Sequence, residues 1–185
     1  MIDPISWRRI ADAIDYYKSL GFYYTEVPWK VSEAAAAITC PDAGYMERSD
    51  GLVLPASGEQ GFLDLELDSL MPMFTQSPNF VTCTPCFRLS DAGRSPVHHP
   101  YFMKVELYVR CNDQLQAERI PYELLIKAKR FMNADNTVTT LAGWDLELNG
   151  IEVGSYGARY HEKIGWWAYG TGLAEPRYSQ ALDNA

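Results

Sequence analysis

The sequence predicts an α+β domain: a mostly antiparallel sheet with helices packed on one face. Three observations carry this. Strand-like segments are joined mainly by hairpins, and helical segments arrive in blocks instead of alternating with strands. Asn149-Gly150 separates two strand-like runs, Trp144–Leu148 and Ile151–Ser155, which is the chemistry of a tight hairpin turn. Residues 81–108, VTCTPCFRLSDAGRSPVHHPYFMKVELY, read as a strand, a polar loop and an antiparallel return strand.

Taken in order, Pro4–Leu20 is predicted helical. Ser6 can cap it, Ile10, Ile14, Tyr17 and Leu20 recur at helical spacing, and Gly21 ends it. Phe22–Val27 is a strand stopped by Pro28, and Ser32–Ile38 is a short helix capped by Ser32. Residues 39–50 read as loop. Two apolar runs follow, Leu52–Leu54 and Phe62-Leu63, joined by the turn Pro55–Glu59, with a helix over Phe62–Leu70. Pro72 and Pro78 bracket an irregular piece. After the central hairpin a helix covers Pro121–Met132, with proline in its first turn and Leu124, Leu125, Ala128 and Phe131 as its apolar face. The chain ends as a strand around Trp166–Tyr169, a glycine-rich turn at Gly170-Thr171-Gly172, and a helix. With no internal repeat or linker-like tract, residues 1–185 read as a single domain.

Composition narrows the function. A chain of 185 residues, 47% hydrophobic and 22% charged, can build an ordinary soluble core. Its 24 acidic residues outnumber 16 basic ones, giving a net charge of −8. Gripping nucleic acid rests on neutralising phosphates with Lys and Arg, so tRNA binding by this chain alone is not expected. No apolar run reaches the length of a membrane span, and the N-terminus lacks the apolar core of a signal peptide, so the cytoplasm is expected. Cys83 and Cys86 form a CxxC without a partner pair at zinc-ribbon spacing. With Cys40 and Cys111 they read as reduced, mostly buried thiols.

Three residue sets could carry chemistry. Arg88 ends the first strand of the hairpin, and Phe102, Lys104 and Glu106 share one face of the return strand. A guanidinium there suits phosphate, whose oxygens match its fork; the plainer alternative is an ion pair on a sheet face. Asp145, Glu147 and Glu152 surround the Asn149-Gly150 hairpin, where paired carboxylates suit Mg²⁺ or simply a solvated edge. Gly170-Thr171-Gly172 leads into Arg177, where backbone could approach a ligand or merely turn. His98 and His99 are adjacent on an extended loop and so point apart, which suits a phosphate- or proton-handling role better than joint metal ligation.

In this order the pieces resemble the catalytic core of class II aminoacyl-tRNA synthetases, most nearly the seryl-type branch. Ser6–Pro28 is similar to motif 1. Thr84-Pro85-Cys86-Phe87-Arg88, Ala92-Gly93 and Phe102-Met103-Lys104-Val105-Glu106 resemble motif 2. Gly170–Arg177 resembles motif 3, and Ser57-Gly58-Glu59 resembles the amino-acid loop.

The resemblance implies a six- to seven-stranded sheet flanked by helices, the synthetase and biotin-ligase type of fold. It implies ATP-dependent activation of an amino acid, or a similar small carboxylate, as an acyl-adenylate. By the same resemblance Arg88 would hold the ATP α-phosphate and the substrate carboxylate. Phe102 would carry adenine, with Arg177 covering its other side. Glu152 and Ser155 match the Glu-x-x-Ser pattern for Mg²⁺. Ser57, Glu59, Glu106 and Gly172 would form the amino-acid site. The acid that contacts adenine falls at Asp91, one residue late, and His98 stands near a loop arginine of the seryl type. Zinc-dependent relatives carry cysteines near Ser57 and Gly170; neither position is Cys here, so zinc is not expected. Motif 1 implies a homodimer. The absence of tRNA-binding appendages points to an acceptor protein or small molecule in place of tRNA. The alternatives are aminoacylation of tRNA with a separate partner and a non-catalytic ligand-binding or regulatory paralogue.

Overall fold

A computed structural model describes residues 4–40, 48–70 and 78–184. Helix α1 (Trp7–Ser19) starts after the expected Ser6 cap and not at Pro4, because the Ser6 hydroxyl accepts the Arg9 amide, one of the donors a helix start leaves unpaired. Strand β1 is only Tyr23–Tyr24, shorter than Phe22–Val27, because it meets the sheet at its edge and turns away towards Pro28. Helix α2 (Glu33–Thr39) is capped by Ser32, whose hydroxyl accepts from the Ala35 amide and donates to Asp64 at 2.6 Å. Arg48–Ser49 (β2) pairs with Leu52–Val53 (β3), a small hairpin at the end of the expected loop; residues 41–47 of that loop lie outside the described residues.

Helix α3 (Gly58–Leu67) starts at Gly58, not at Phe62. The Ser57 side chain caps it by accepting from the Glu59 amide, so the expected turn is the helix's first turn. Most of the piece between Pro72 and Pro78 is undescribed. The central hairpin forms from β4 (Asn79–Phe87) and β5 (Tyr101–Cys111). Helix α4 (Gln114–Met132) begins at an Asp113 cap, which places Pro121 inside the helix instead of in its first turn. Strand β6 (Asn136–Thr140) is an edge strand that its Thr-rich sequence did not announce. It is followed by β7 (Gly143–Leu148) and β8 (Ile151–His161). Strand β9 (Gly165–Glu175) runs straight through Gly170-Thr171-Gly172, so the predicted glycine turn is strand. Helix α5 (Arg177–Asp183) follows.

The seven strands order as β1-β4-β5-β9-β8-β7-β6, all antiparallel neighbours except β1, which joins β4 in parallel. The core has two parts. On one face Ile10, Ala13 and Tyr17 of α1 and Leu124, Leu125 and Ala128 of α4 pack on Val105, Leu107, Val109 and Leu173. On the other face Ala35 and Ala36 of α2 and Phe62 and Leu63 of α3 pack on Phe80, Tyr108 and Trp167. Helices therefore cover both faces, not one. Helices α2 and α3 pack over part of their face, and a cleft opens along the sheet beside them.

Candidate active site

The strand period of two puts Phe102, Lys104, Glu106 and Tyr108 on the cleft side of β5, and Met103, Val105, Leu107 and Val109 on the α1–α4 side. Antiparallel register then brings Thr84 opposite Lys104 and Cys86 opposite Phe102. Arg88 follows on the same side. Its Nε donates to the Ala56 carbonyl at 3.0 Å, and its guanidinium lies over the Phe102 ring, 5.3 Å from the centroid. Cys86 is fully buried beneath this surface and burial pushes its thiol up to about 11, so it is packing and not a nucleophile.

Glu106 has no exposed surface, yet its carboxylate is held from three sides. Oε2 accepts the Ser57 hydroxyl at 2.6 Å and the Glu59 amide at 3.2 Å, and meets Lys104 Nζ at 2.9 Å. Its other oxygen, Oε1, is buried without a partner among the described residues. A buried acceptor left open inside an otherwise satisfied cluster is where a ligand's donor would be accommodated.

Glu59 is placed differently from the sequence expectation. It is 3% exposed and both its oxygens are engaged, Oε1 by the Trp167 indole N–H at 2.7 Å and Oε2 by Arg159. It borders the cleft with both oxygens already engaged by protein donors. Arg159 lies over the Tyr169 ring, 4.3 Å from its centroid. Burial works to lower the guanidinium's pKa, but the charge and hydrogen bond of Glu59 outweigh it and leave it raised. Gly157 makes room for that ring: a Cβ there would lie 2.5 Å from the Tyr169 hydroxyl.

The remaining residues gather at the β7–β8 end. Asp145 faces Ser155 and Glu147 faces Glu152 in register. Residue Val153 has no opposite number, and this bulge lets Glu152 and Ser155 share one face despite their odd spacing. Glu147 is engaged by the Asn136 amide and does not line the cleft. Glu152 is half exposed and lies 3.6 Å from Arg177. Asp145, Glu152 and Ser155 together offer hard oxygen donors of the kind that fit Mg²⁺. Among the described residues no three His, Cys, Asp or Glu side chains gather into a metal cage.

These walls enclose a cleft of about 530 Å³, lined among others by Ser57, Arg88, Lys104, Asp145, Ser155 and Arg159. Arg88, Lys104, Glu152 and Ser155 are shared with an adjoining slot of about 60 Å³ that adds Phe102 and Arg177. Beyond Arg177 and Glu152 a third hollow of about 400 Å³ contains His98, whose Nδ1 lies 2.6 Å from the Ser95 hydroxyl. Asp91 ends a short 3-10 turn, Leu89–Asp91, after Arg88; its side chain lies outside the described set. Gly172 is not in the cleft. It is the bulge residue of β9, its α-carbon faces Tyr17 and Val105, and its carbonyl accepts the Tyr17 hydroxyl at 3.0 Å. Its place is in packing, which removes it from the amino-acid site.

Four residues of this site, Lys104, Arg159, Trp167 and Tyr169, have no role that the sequence alone assigns. Lys104 was on the named face but unassigned. Arg159 lies at even spacing from Ser155 along β8, and that parity was the signal available for it.

No family model matches this sequence, and no curated protein sequence does. Solved structures do match: the chain has the fold of class II aminoacyl-tRNA synthetase catalytic domains. Structure of PylSc, a pyrrolysyl-tRNA synthetase from Desulfitobacterium hafniense, aligns with a TM-score of 0.74 at 14% identity, over 96% of this chain and 67% of that one. The seryl-tRNA synthetase of Pyrococcus horikoshii, complexed with ATP, aligns at 0.69 and 17%, over 94% and 48%. The cytoplasmic serine-tRNA ligase of Naegleria fowleri, in complex with AMP, aligns at 0.71 and 14%, over 94% and 52%. The chain thus spans about half the length of the two seryl enzymes. At these identities the likeness establishes the fold. No helix among the described residues is long and apolar enough to cross a membrane.

Proposed function

We propose that this domain binds ATP and activates an amino acid, or a similar small carboxylate, as an acyl-adenylate, which it passes to an acceptor other than tRNA. One observation carries the reading: Arg88, Phe102, Glu152, Ser155 and Arg177 line one slot on a sheet whose fold is that of ATP-using ligases. In the reaction, a carboxylate oxygen of the acid attacks the α-phosphorus of ATP. An O–P bond forms, the bond to the bridging oxygen breaks, and pyrophosphate leaves with the electron pair. The attacking carboxylate is already ionised, so no general base is required, and the work is positioning and charge neutralisation.

Arg88 holds the α-phosphate and the acid's carboxylate with its guanidinium fork. Phe102 carries the adenine, with Arg177 on its other side, Asp91 at the base's edge and His98 beside the phosphates. Ser57 fixes Glu106, whose open Oε1 meets the acid's ammonium. Mg²⁺, held by Glu152 and Ser155, would neutralise the outer phosphates. The acceptor is a carrier-protein thiol, an amine or another small nucleophile, because 24 acidic residues against 16 basic ones suit phosphate-rich tRNA poorly. Aminoacylation of tRNA is the second reading, favoured by the three structures named above being tRNA ligases. The exposed Trp7, Leu20 and Tyr23 along α1 and β1 support a homodimer formed through that edge, in the cytoplasm.

Amino-acid-dependent exchange of pyrophosphate into ATP tests the chemistry. Exchange with at least one acid is expected, and Arg88→Ala should abolish it; full exchange in that variant would remove Arg88 from the phosphate site. Silence across the whole panel with ATP binding intact would favour a non-catalytic ligand-binding role.

A further inference from the structure

Building on that reading, we propose that the acid this cleft takes carries a second carboxylate, and that Arg159 is the residue selecting it. Arg88 and Lys104 border both the larger cleft and the nucleotide slot, whereas Arg177 borders the slot but not the larger cleft, and Arg159 the larger cleft but not the slot. An acid whose reacting carboxylate sits at Arg88 therefore extends, away from the nucleotide, towards Arg159.

What meets it there is a guanidinium held in place. Tyr169 supports its plane at 4.3 Å, and Glu59, itself anchored by the Trp167 indole, fixes one end. Only Nη1 is used by Glu59; among the described residues Nε and Nη2 have no hydrogen-bond partner. The side chain is 35% exposed, so these donors are not sealed away. A planar pair of free N–H donors matches a carboxylate's two oxygens. A cationic side chain would face Arg159 and Lys104 together. An apolar one would desolvate the guanidinium without replacing its water, and a hydroxyl would satisfy a single donor. The neighbouring acids do not compete for this end of the ligand: Glu59 and Glu106 are already paired with Arg159 and Lys104, and Asp145 and Glu152 belong to the β7–β8 wall with the metal donors. Glu59 is thus a positioning residue for Arg159.

The test is calorimetric binding to the full chain, without nucleotide. The probes are aspartate and glutamate, their amides asparagine and glutamine, and serine, lysine and leucine, with pyrophosphate exchange measured in parallel. One dicarboxylate should bind at least tenfold tighter than its amide. Arg159→Gln should remove that preference while leaving affinity for the amide nearly unchanged, and Arg159→Lys should restore only part of it, because charge returns without the fork. Since Arg159→Gln strands Glu59, the paired Glu59→Gln/Arg159→Gln variant, checked by its melting temperature, should show the same lost preference in a folded protein. Tighter binding of serine, lysine or leucine, no binding of either dicarboxylate, or a preference that survives Arg159→Gln would overturn the proposal. Exchange with a non-acidic amino acid alone would sink this inference and keep the activation reading. Selective dicarboxylate binding without exchange would do the reverse.

Discussion

Replacing Lys104 by Met tests the electrostatic foundation of the cleft without depending on any assumed substrate. Lys104 and Glu106 form an ion pair at 2.9 Å, with side chains 9% and 0% exposed. Removing one partner of such a pair costs about 3–5 kcal/mol, because the remaining charge stays desolvated without a counter-charge. Glu106 would keep the Ser57 hydroxyl and the Glu59 amide, and hydrogen bonds to a charged group each offset part of that loss. The expected loss is therefore at the low end, about 3 kcal/mol. With a urea m-value of about 2 kcal/mol/M, the unfolding midpoint should fall by about 1.5 M. Lys104→Met/Glu106→Leu removes both charges and should recover most of the loss, since a well-packed apolar pair commonly replaces a buried ion pair at little cost. Equilibrium urea unfolding followed by tryptophan fluorescence measures both. A single variant within about 0.3 M of wild type, or a double variant no more stable than the single, would refute the claim that Glu106 is a buried anion held by Lys104.

Gly172→Ala puts a Cβ 2.8 Å from the buried Tyr17 ring and 3.0 Å from Val105 Cγ1. Overpacking of about 1–3 kcal/mol should lower the melting temperature by about 2–12 °C, and a thermal scan that matches wild type would contradict that packing. Burial raises the Glu175 carboxyl above its ordinary value, the Ser179 hydrogen bonds and Arg9 offsetting it only partly. The folded state then holds the proton more firmly than the unfolded state, so Glu175 contributes stability at low pH that is lost as pH rises through its raised pKa; Glu175→Gln should flatten stability against pH above about 4.5, as read by urea midpoints across a pH series. Static light scattering should give twice the chain mass; a monomer would reject the α1–β1 interface.

How much of this was legible depended on whether a residue's role follows from local pattern. Ser6, Ser32 and the Asn149-Gly150 turn did what their chemistry dictates, because caps and tight turns are decided within a few residues. The shared face of Phe102, Lys104 and Glu106 followed from parity alone. What failed needed tertiary information. Ser57 looked like a turn residue because nothing local says that Glu106, 49 positions away, will accept its hydroxyl while it caps α3. That both Glu59 oxygens are engaged by Arg159 and Trp167 is invisible locally, because those partners come from β8 and β9, 100 and 108 positions on. The glycines of β9 looked like a turn, because glycine signals permissive backbone without saying whether that permission serves a reversal or close packing.

Two bulges decide what this sheet face can do. Uninterrupted pairing would put Glu152 and Ser155 on opposite faces, since odd spacing reverses side-chain direction along a strand. The unpaired Val153 shifts the register by one and returns both to the cleft with Asp145. On β9 the unpaired Gly172 does the same for Thr171 and Ala174, which both border the slot beside Phe102, and Leu173 is buried in the core on the other face. The bulges lie on adjacent strands, one on each wall of the slot. Inserting one residue in β7 between Leu146 and Glu147, opposite Val153, should therefore leave β8 able to pair while putting Ser155 and Glu152 on opposite faces. Loss of ATP affinity with the fold retained by circular dichroism is the expected outcome. Unchanged affinity in a folded insertion variant would show that the two oxygens need not share a face, and the metal assignment to Glu152 and Ser155 would fall with it.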